Sequence, residues 1–280
     1  MNTELYEKIT QKKEFSQLPR KDVEMAMEKF ENKNLNDWQK AKLTRQFLRK
    51  IYSSFSSRKV FSESKKGKTS DWYLMKHKSS KERFPYYHEI YERIFPKKGK
   101  FSVIDLGAGI NGLSFLPEIF SSPNHHHPDH PPQGTKFNEK NFRSRIINYL
   151  RIEAIGQFVE LMNEFFKAEK FNGKAIHVSL FDLDKIKESI KEQKKPRIIL
   201  LLKVIDSLEI VKRDYSKKLL EEIAPLGEKI VVSFATRSLG SRKKFSANRN
   251  WLVKFINDNF KVEDDFEIGG ERYLVFGKGD

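Results

Sequence analysis

Residues 101–115, FSVIDLGAGINGLSF, decide how the rest of the chain is read. The first six are short, largely apolar and β-branched, with no charge before Asp105, the pattern of a parallel strand buried on both faces. The run ends in glycines. Gly107 and Gly109 permit positive φ and close backbone approach, and Ile110, Leu113, Phe115 and Leu116 then suit a helix whose N-terminus faces the loop. Downstream, strands are predicted over 145–151, 174–180, 197–204 and 229–234. Helices are predicted over 157–171, from 184, over 209–224 and over 246–260. Residues 261–268 and 271–276 flank Gly269-Gly270, a strong hairpin signal. Five alternating strands closed by a terminal hairpin predict an α/β fold, a Rossmann-like seven-stranded sheet of the nucleotide-binding type.

Upstream, helices are predicted over 3–15, 20–31 and 35–55, broken at Pro19 and over 32–36. In the third, Trp38, Ala41, Leu48, Ile51, Tyr52 and Phe55 line one side, while Lys40, Lys42, Arg45, Arg49 and Lys50 occupy the rest. A Ser/Lys-rich stretch over 53–70 reads as a loop. The helix predicted over 79–95, with Tyr87, Ile90, Tyr91 and Ile94 at helical spacing, delivers the chain to the first strand. The expected division is an all-α basic domain over 1–95 and the sheet domain over 96–280, with residues 121–143, rich in His and Pro, as a surface insertion.

The net charge is +16, and it is unevenly placed. Residues 1–100 carry 25 Lys and Arg against 13 Asp and Glu, whereas residues 101–280 carry 29 against 25. Over 33–83 the imbalance is 15 to 4, which points to a phosphate-backbone contact surface rather than to a solvated face alone. The chain has no cysteine, so disulfides, thiolate metal sites and a cysteine nucleophile are excluded, and with the last of these the usual covalent route to pyrimidine C5. No apolar run is long enough to span a bilayer, and residues 1–15 have no signal-peptide core, so a cytoplasmic protein is expected. His125, His126, His127 and His130 lack a second ligand group, and no metal is expected.

Gly107-Ala108-Gly109-Ile110-Asn111-Gly112 satisfies G-x-G-x-x-G, the dinucleotide fingerprint. Asp105 adds D-x-G-x-G, which resembles the first loop of S-adenosylmethionine (SAM) methyltransferases, and the terminal hairpin agrees with them rather than with dinucleotide enzymes. Ser80-Lys81-Glu82-Arg83, residues 105–111 (DLGAGIN), residues 200–204 (LLLKV) and residues 234–239 (FATRSL) resemble the SAM-dependent methyltransferases of small-subunit ribosomal RNA, the family that includes the aminoglycoside-resistance enzymes. The resemblance runs from about residue 79 to the end. It departs at Gly112 and Ala235, where the family usually has proline, and at the His-rich insertion. It implies SAM as cofactor, a monomer that docks its helical extension on ribosomal RNA or the assembled small subunit, and methylation of guanine N7. It also implies Arg83 as partner of the SAM carboxylate.

For SAM, Asp105 and the amides of Gly107, Ala108, Gly109 and Asn111 suit the amino-acid end. Glu153 suits the ribose hydroxyls, and Asp182 with Leu183 the adenine, Asp184 being the alternative. Lys203 ends an apolar strand at its carboxyl edge, where ligands bind, though a lysine there can also reach solvent. Thr236, Arg237, Ser238, Arg242, Lys243 and Lys244 are expected RNA contacts, with Lys40, Arg45, Arg49 and Lys50 from the basic helix. Phe234 or Trp72 is a candidate to stack a flipped base. The [Asn/Asp]-Pro-Pro-[Tyr/Phe] loop of exocyclic-amine methylation is absent from residues 203–207, KVIDS. A ring nitrogen carries a free lone pair at neutral pH, so positioning suffices and no general base is named. The alternatives are a methyltransferase of another RNA or of a small molecule, and a non-catalytic RNA-binding or ribosome-assembly factor with this fold.

Overall fold

A computed structural model describes residues 3–53, 69–115, 139–236 and 249–279. Helices α1 (Thr3–Thr10), α2 (Arg20–Glu31) and α3 (Asp37–Leu48) come first, and a π-helical turn, Arg49–Ser53, continues the third. α3 starts at a capping box in which Asn36 and Gln39 satisfy each other's backbone amides. Leu5, Ile9, Phe15, Leu18, Val23, Ala26, Ala41 and Leu48, from these helices and the segment joining α1 to α2, form a core of their own, against which Ile155 packs from the sheet domain. Trp38 departs from the expected apolar side. It lies in the turn of α3 before Ala41, outside that core, 68% exposed with Lys42 over its ring.

Next come α4 (Ser70–Lys76), α5 (Lys78–Arg83), a 3-10 turn at Phe84–Tyr86 and α6 (Tyr87–Ile94). The single helix expected over 79–95 is divided at Pro85, which lacks the amide needed to continue it. Tyr73, Leu74, Phe84, Tyr87, Ile90, Tyr91, Ile94 and Phe95 pack in the same core as one face of the sheet. Residues 73–95 thus share the sheet's hydrophobic core rather than that of α1–α3.

The sheet is built from β1 (Phe101–Leu106), β2 (Ile146–Glu153), β3 (Gly173–His177), β4 (Arg197–Leu202), β5 (Lys229–Ala235), β6 (Lys261–Ile268) and β7 (Glu271–Gly277). Its order is β3-β2-β1-β4-β5-β7-β6. The first five strands are parallel, and β7 pairs antiparallel with both β5 and β6. Gly269 and Gly270, at φ +61° and +78°, make the hairpin turn. Along the inner strands alternate residues serve opposite layers. Val103, Ile198, Leu200 and Val231 face α4, α6 and α8 (Gly156–Ala168). Ile104, Ile199, Leu201 and Val232 face α9 (Leu183–Lys191), α10 (Ile205–Val211), α11 (Tyr215–Ile223) and α12 (Asn250–Asn259).

Two further expected helices differ. After the glycine loop the described chain forms a 3-10 turn, Asn111–Phe115, and Leu116 lies outside the described residues. The helix expected over 209–224 is two helices parted at Asp214, whose φ is +60°. A further short helix, α7 (Glu139–Arg145), leads into β2. Among the described residues no helix is long and apolar enough to cross a membrane.

Candidate functional site

β1 is flanked by β2 on one side and β4 on the other, and the chain reverses direction across the sheet between them. In open α/β sheets such a switch point opens a crevice at the carboxyl ends of the strands. Here the crevice is lined by Gly107, Ala108 and Gly109 after β1, Glu153 and Ala154 at the end of β2, Leu180 and Phe181 after β3, and Lys203 and Val204 after β4. Arg83, His77 and Phe158 line it from the helical layer, and Asp22, Ile51 and Tyr52 from the N-terminal module.

In the loop after β1, Gly107 and Gly109 have no room for side chains. Gly107 and Gly109 have φ of +67° and +56°. A Cβ at Gly107 would lie 2.6 Å from Val204 Cγ2, and one at Gly109 2.8 Å from His77 Nε2. Glu153 ties this loop to β2. Its Oε2 accepts from the Gly109 amide at 2.8 Å and its Oε1 from the Ile155 amide at 2.9 Å.

Asp105, expected among the cofactor contacts, lies behind the loop. It is fully buried, and its Oδ2 accepts from Asn111 Nδ2 at 3.1 Å and from the Tyr149 hydroxyl at 2.9 Å. Burial pushes its carboxyl above the ordinary range, against the pull of the Asn111 and Tyr149 hydrogen bonds. Asn111 in turn accepts on Oδ1 from Arg83 Nη1 at 3.1 Å and from Tyr87 at 3.0 Å. Asp105 and Asn111 therefore fix the loop and Arg83 from below.

Arg83 also donates Nε to both oxygens of Glu271, at 3.1 and 3.0 Å. Lys203 joins the same carboxylate, its Nζ 3.0 Å from Glu271 and 2.6 Å from Glu82. Burial would raise the Glu271 pKa, but the charges of Arg83 and Lys203 hold it below the ordinary value. Lys203 sits at φ +59°, a left-handed conformation costly for a residue with a Cβ, and its amide donates to the Ser233 carbonyl and hydroxyl, each at 3.1 Å. Strain of this kind concentrates where a loop is held for a ligand. The strand expected to run to residue 204 ends at Leu202 for this reason.

Asp182 and Leu183 open α9 and do not line the crevice; Asp182 pairs with Lys185 at 3.0 Å, while Leu180 and Phe181 just before it do line it. His77, for which the sequence suggests no role, closes the crevice over Gly109. Burial, then the charges of Arg83, Arg151 and Lys203, lower its pKa to about 3, so the ring is neutral. A base whose pKa is depressed by folding supports stability above its unfolded value near 6.5, and that support is lost as pH falls toward about 3. The expected cost in that window approaches ~1.4 kcal/mol per pH unit, so His77→Gln should flatten the acid limb of a melting-temperature profile from pH 7 to 4. An unchanged limb would place the loss elsewhere.

The expected RNA contacts that lie within the described residues do not line the crevice. Lys40 donates to the Glu31 carbonyl at 3.2 Å, Arg45 donates to the Lys8 carbonyl, Arg49 pairs with Glu14, and Lys50 is exposed. Thr236 donates to Glu267 at 2.7 Å. Arg237, Ser238, Arg242, Lys243 and Lys244, like the His-rich insertion, lie outside the described residues. Phe234 is core, under Arg249, and Trp72 is half-buried.

Among solved structures the 16S rRNA methyltransferase RmtF in complex with S-adenosyl-L-homocysteine is similar over 100% of both chains, with a TM-score of 0.73 at 19% identity. The described residues of this chain share the fold of that enzyme. The 16S rRNA methylase RmtB matches with a TM-score of 0.68 at 16% identity, covering 99% of this chain and 98% of its own. An rRNA methylase from Escherichia coli matches at 0.69 and 16%, over 99% of each chain. The shared fold includes the helical N-terminal module as well as the sheet, since the alignments span the whole chain. No protein-family model matches the sequence, and no curated protein matches it.

Proposed function

We propose that this chain is a SAM-dependent methyltransferase acting on a ring nitrogen, guanine N7, of small-subunit ribosomal RNA. The observation that carries the reading is the full-length likeness to 16S rRNA methyltransferases, one of them holding S-adenosyl-L-homocysteine, in a chain whose crevice sits at the sheet's switch point. The crevice fits the cofactor. A glycine cradle that any Cβ would fill approaches the ligand with bare backbone, an apolar wall of Ile51, Leu180, Phe181 and Leu208 suits a purine, and carboxylates and cations share the rim.

In this reading the loop amides and Arg83 hold the amino-acid end, Arg83 presented by Glu271 and Asn111, and Glu153 meets the ribose. Asp105 acts through Asn111. Lys203 borders the place where the target base must enter. SAM supplies an electrophilic methyl group. The protein's part is to align a lone pair with it and to tolerate the positive product, so no residue is assigned as general base.

The basic module supplies the RNA grip, and residues 237–244, which follow β5 in the sequence, are expected to join it. Docking by the module makes ribosomal RNA, free or in the assembled small subunit, the expected substrate, in the cytoplasm. Arg45→Gln with Lys50→Gln should weaken binding to small subunits and reduce the slope of log affinity against log salt by about 0.7–0.9 for each phosphate left without its cation. A salt slope equal to the parent's would remove this face from the RNA interface.

A further inference from the structure

We propose that Asp22, on α2 of the N-terminal module, is a ligand of the cofactor, accepting a hydrogen bond from a donor on its adenosine half. The inference rests on the reading above and extends it to a residue that belongs to the N-terminal module rather than to the sheet. Asp22 is 3% exposed, yet it lines the crevice across from the glycine loop. Its Oδ1 accepts from the Tyr52 hydroxyl, and its Oδ2 is buried with no hydrogen-bond partner. A buried carboxylate oxygen left without a donor destabilises the fold, and the cost is recovered when a ligand brings the missing donor. Burial raises the Asp22 pKa, against the hydroxyls of Ser179 and Tyr52, with Glu153 adding to the rise; Ser179 stands near the carboxylate but makes no hydrogen bond to Oδ2, which is left for a ligand donor. These neighbours place Asp22 near the ends of β2 and β3, where Leu180 and Phe181 form the apolar wall.

The residue is also rigidly mounted. Val23 and Ala26 beside it are fully buried in the module's core. The module is fastened to α8 where the Gly156 amide donates to the Gln17 carbonyl at 3.2 Å and Gln157 Nε2 to the Lys13 carbonyl at 3.1 Å. Asp22 thus makes the docking module one wall of the cofactor site. Cofactor occupancy and the seating of α2 are then linked, each favouring the other to the same degree.

Calorimetric titration of S-adenosyl-L-homocysteine into the parent chain and into Asp22→Asn tests this. Loss of a hydrogen bond to a charged acceptor predicts about ten- to a hundredfold weaker binding in the variant. Two analogues locate the donor. S-inosylhomocysteine replaces the adenine amino group with a carbonyl oxygen, and the 2′-deoxy analogue removes one ribose hydroxyl. The parent should prefer the natural ligand over one of them, and Asp22→Asn should lose that preference. Without ligand the variant should melt no lower than the parent, because it removes a buried, unpartnered carboxylate oxygen. Unchanged affinity, or weaker affinity with both preferences intact, overturns the assignment of Asp22 while leaving the cofactor reading standing. Failure of the parent to bind S-adenosyl-L-homocysteine overturns both.

Discussion

Glu271→Ala should destabilise the protein by about 3–5 kcal/mol, because it strands Arg83 as a buried cation without a carboxylate and leaves Lys203 with Glu82 alone. Arg83 and Glu271 have side chains 4% and 2% exposed, so solvent cannot replace the lost partner. For a chain of this size that corresponds to a melting temperature lower by roughly 10 °C. The pH dependence carries a matching sign. The folded pKa of Glu271 is depressed, so its contribution is present above the ordinary glutamate value of 4.5 and is lost as pH falls through the lower folded value. The parent and the variant should therefore converge in stability below pH 4.5. Thermal melts of both proteins between pH 7 and 3 measure this, and a variant as stable as its parent at pH 7 would mean that the pair is not desolvated as described.

Gly109→Ala should reduce binding of S-adenosyl-L-homocysteine by at least about a hundredfold. Two independent effects combine at this position. The backbone at φ +56° is costly for any residue with a Cβ, by about 1–2 kcal/mol, and the added carbon would lie 2.8 Å from His77 Nε2. His77 cannot easily yield, because its Nδ1 lies 3.0 Å from the Ser80 hydroxyl and its ring packs edge-on against Phe158. Displacing the loop also breaks the Gly109 amide's hydrogen bond to Glu153. Adding His77→Ala to Gly109→Ala should return part of the affinity, since it removes the clash and leaves the φ penalty. Titration calorimetry on the two single variants and the double variant measures the coupling. Strict additivity would show that His77 and Gly109 are not in contact.

The sheet is legible in the sequence because each strand carries its own signal. The apolar run at 101–106, the cluster at 198–202 and Gly269-Gly270 each specify local structure without reference to anything distant. Gly107, Gly109, Glu153 and Lys203 could be placed at one edge because strand ends in an α/β alternation must meet there. What the sequence cannot state is which way a side chain turns at that edge. Asp105 precedes the loop and points behind it, and Asp182 follows β3 but pairs with Lys185. Glu271 is 188 residues from Arg83, and Asp22 reaches the crevice only through the folding of a separate module. Faint signals existed for both. Period-2 alternation sets Glu271 on the face of β7 shared by Tyr273 and Val275, and helical spacing sets Asp22 on the side of α2 shared by Ala26, so each is an acid on an apolar face. Trp38 shows the opposite limit, an aromatic at helical spacing that stands outside the helices' core. Helical subdivision at Pro85 was visible in principle, whereas the break at Asp214 was not, since nothing about that residue type demands positive φ.

Methyl transfer from radiolabelled SAM to purified small ribosomal subunits, with free ribosomal RNA beside them and Asp105→Ala as control, tests the proposed activity most directly. The expected result is label on the subunits that maps to N7 of a guanine and falls sharply in the variant. No label on subunits or RNA, from a protein that binds S-adenosyl-L-homocysteine, would contradict the ribosomal methyltransferase reading.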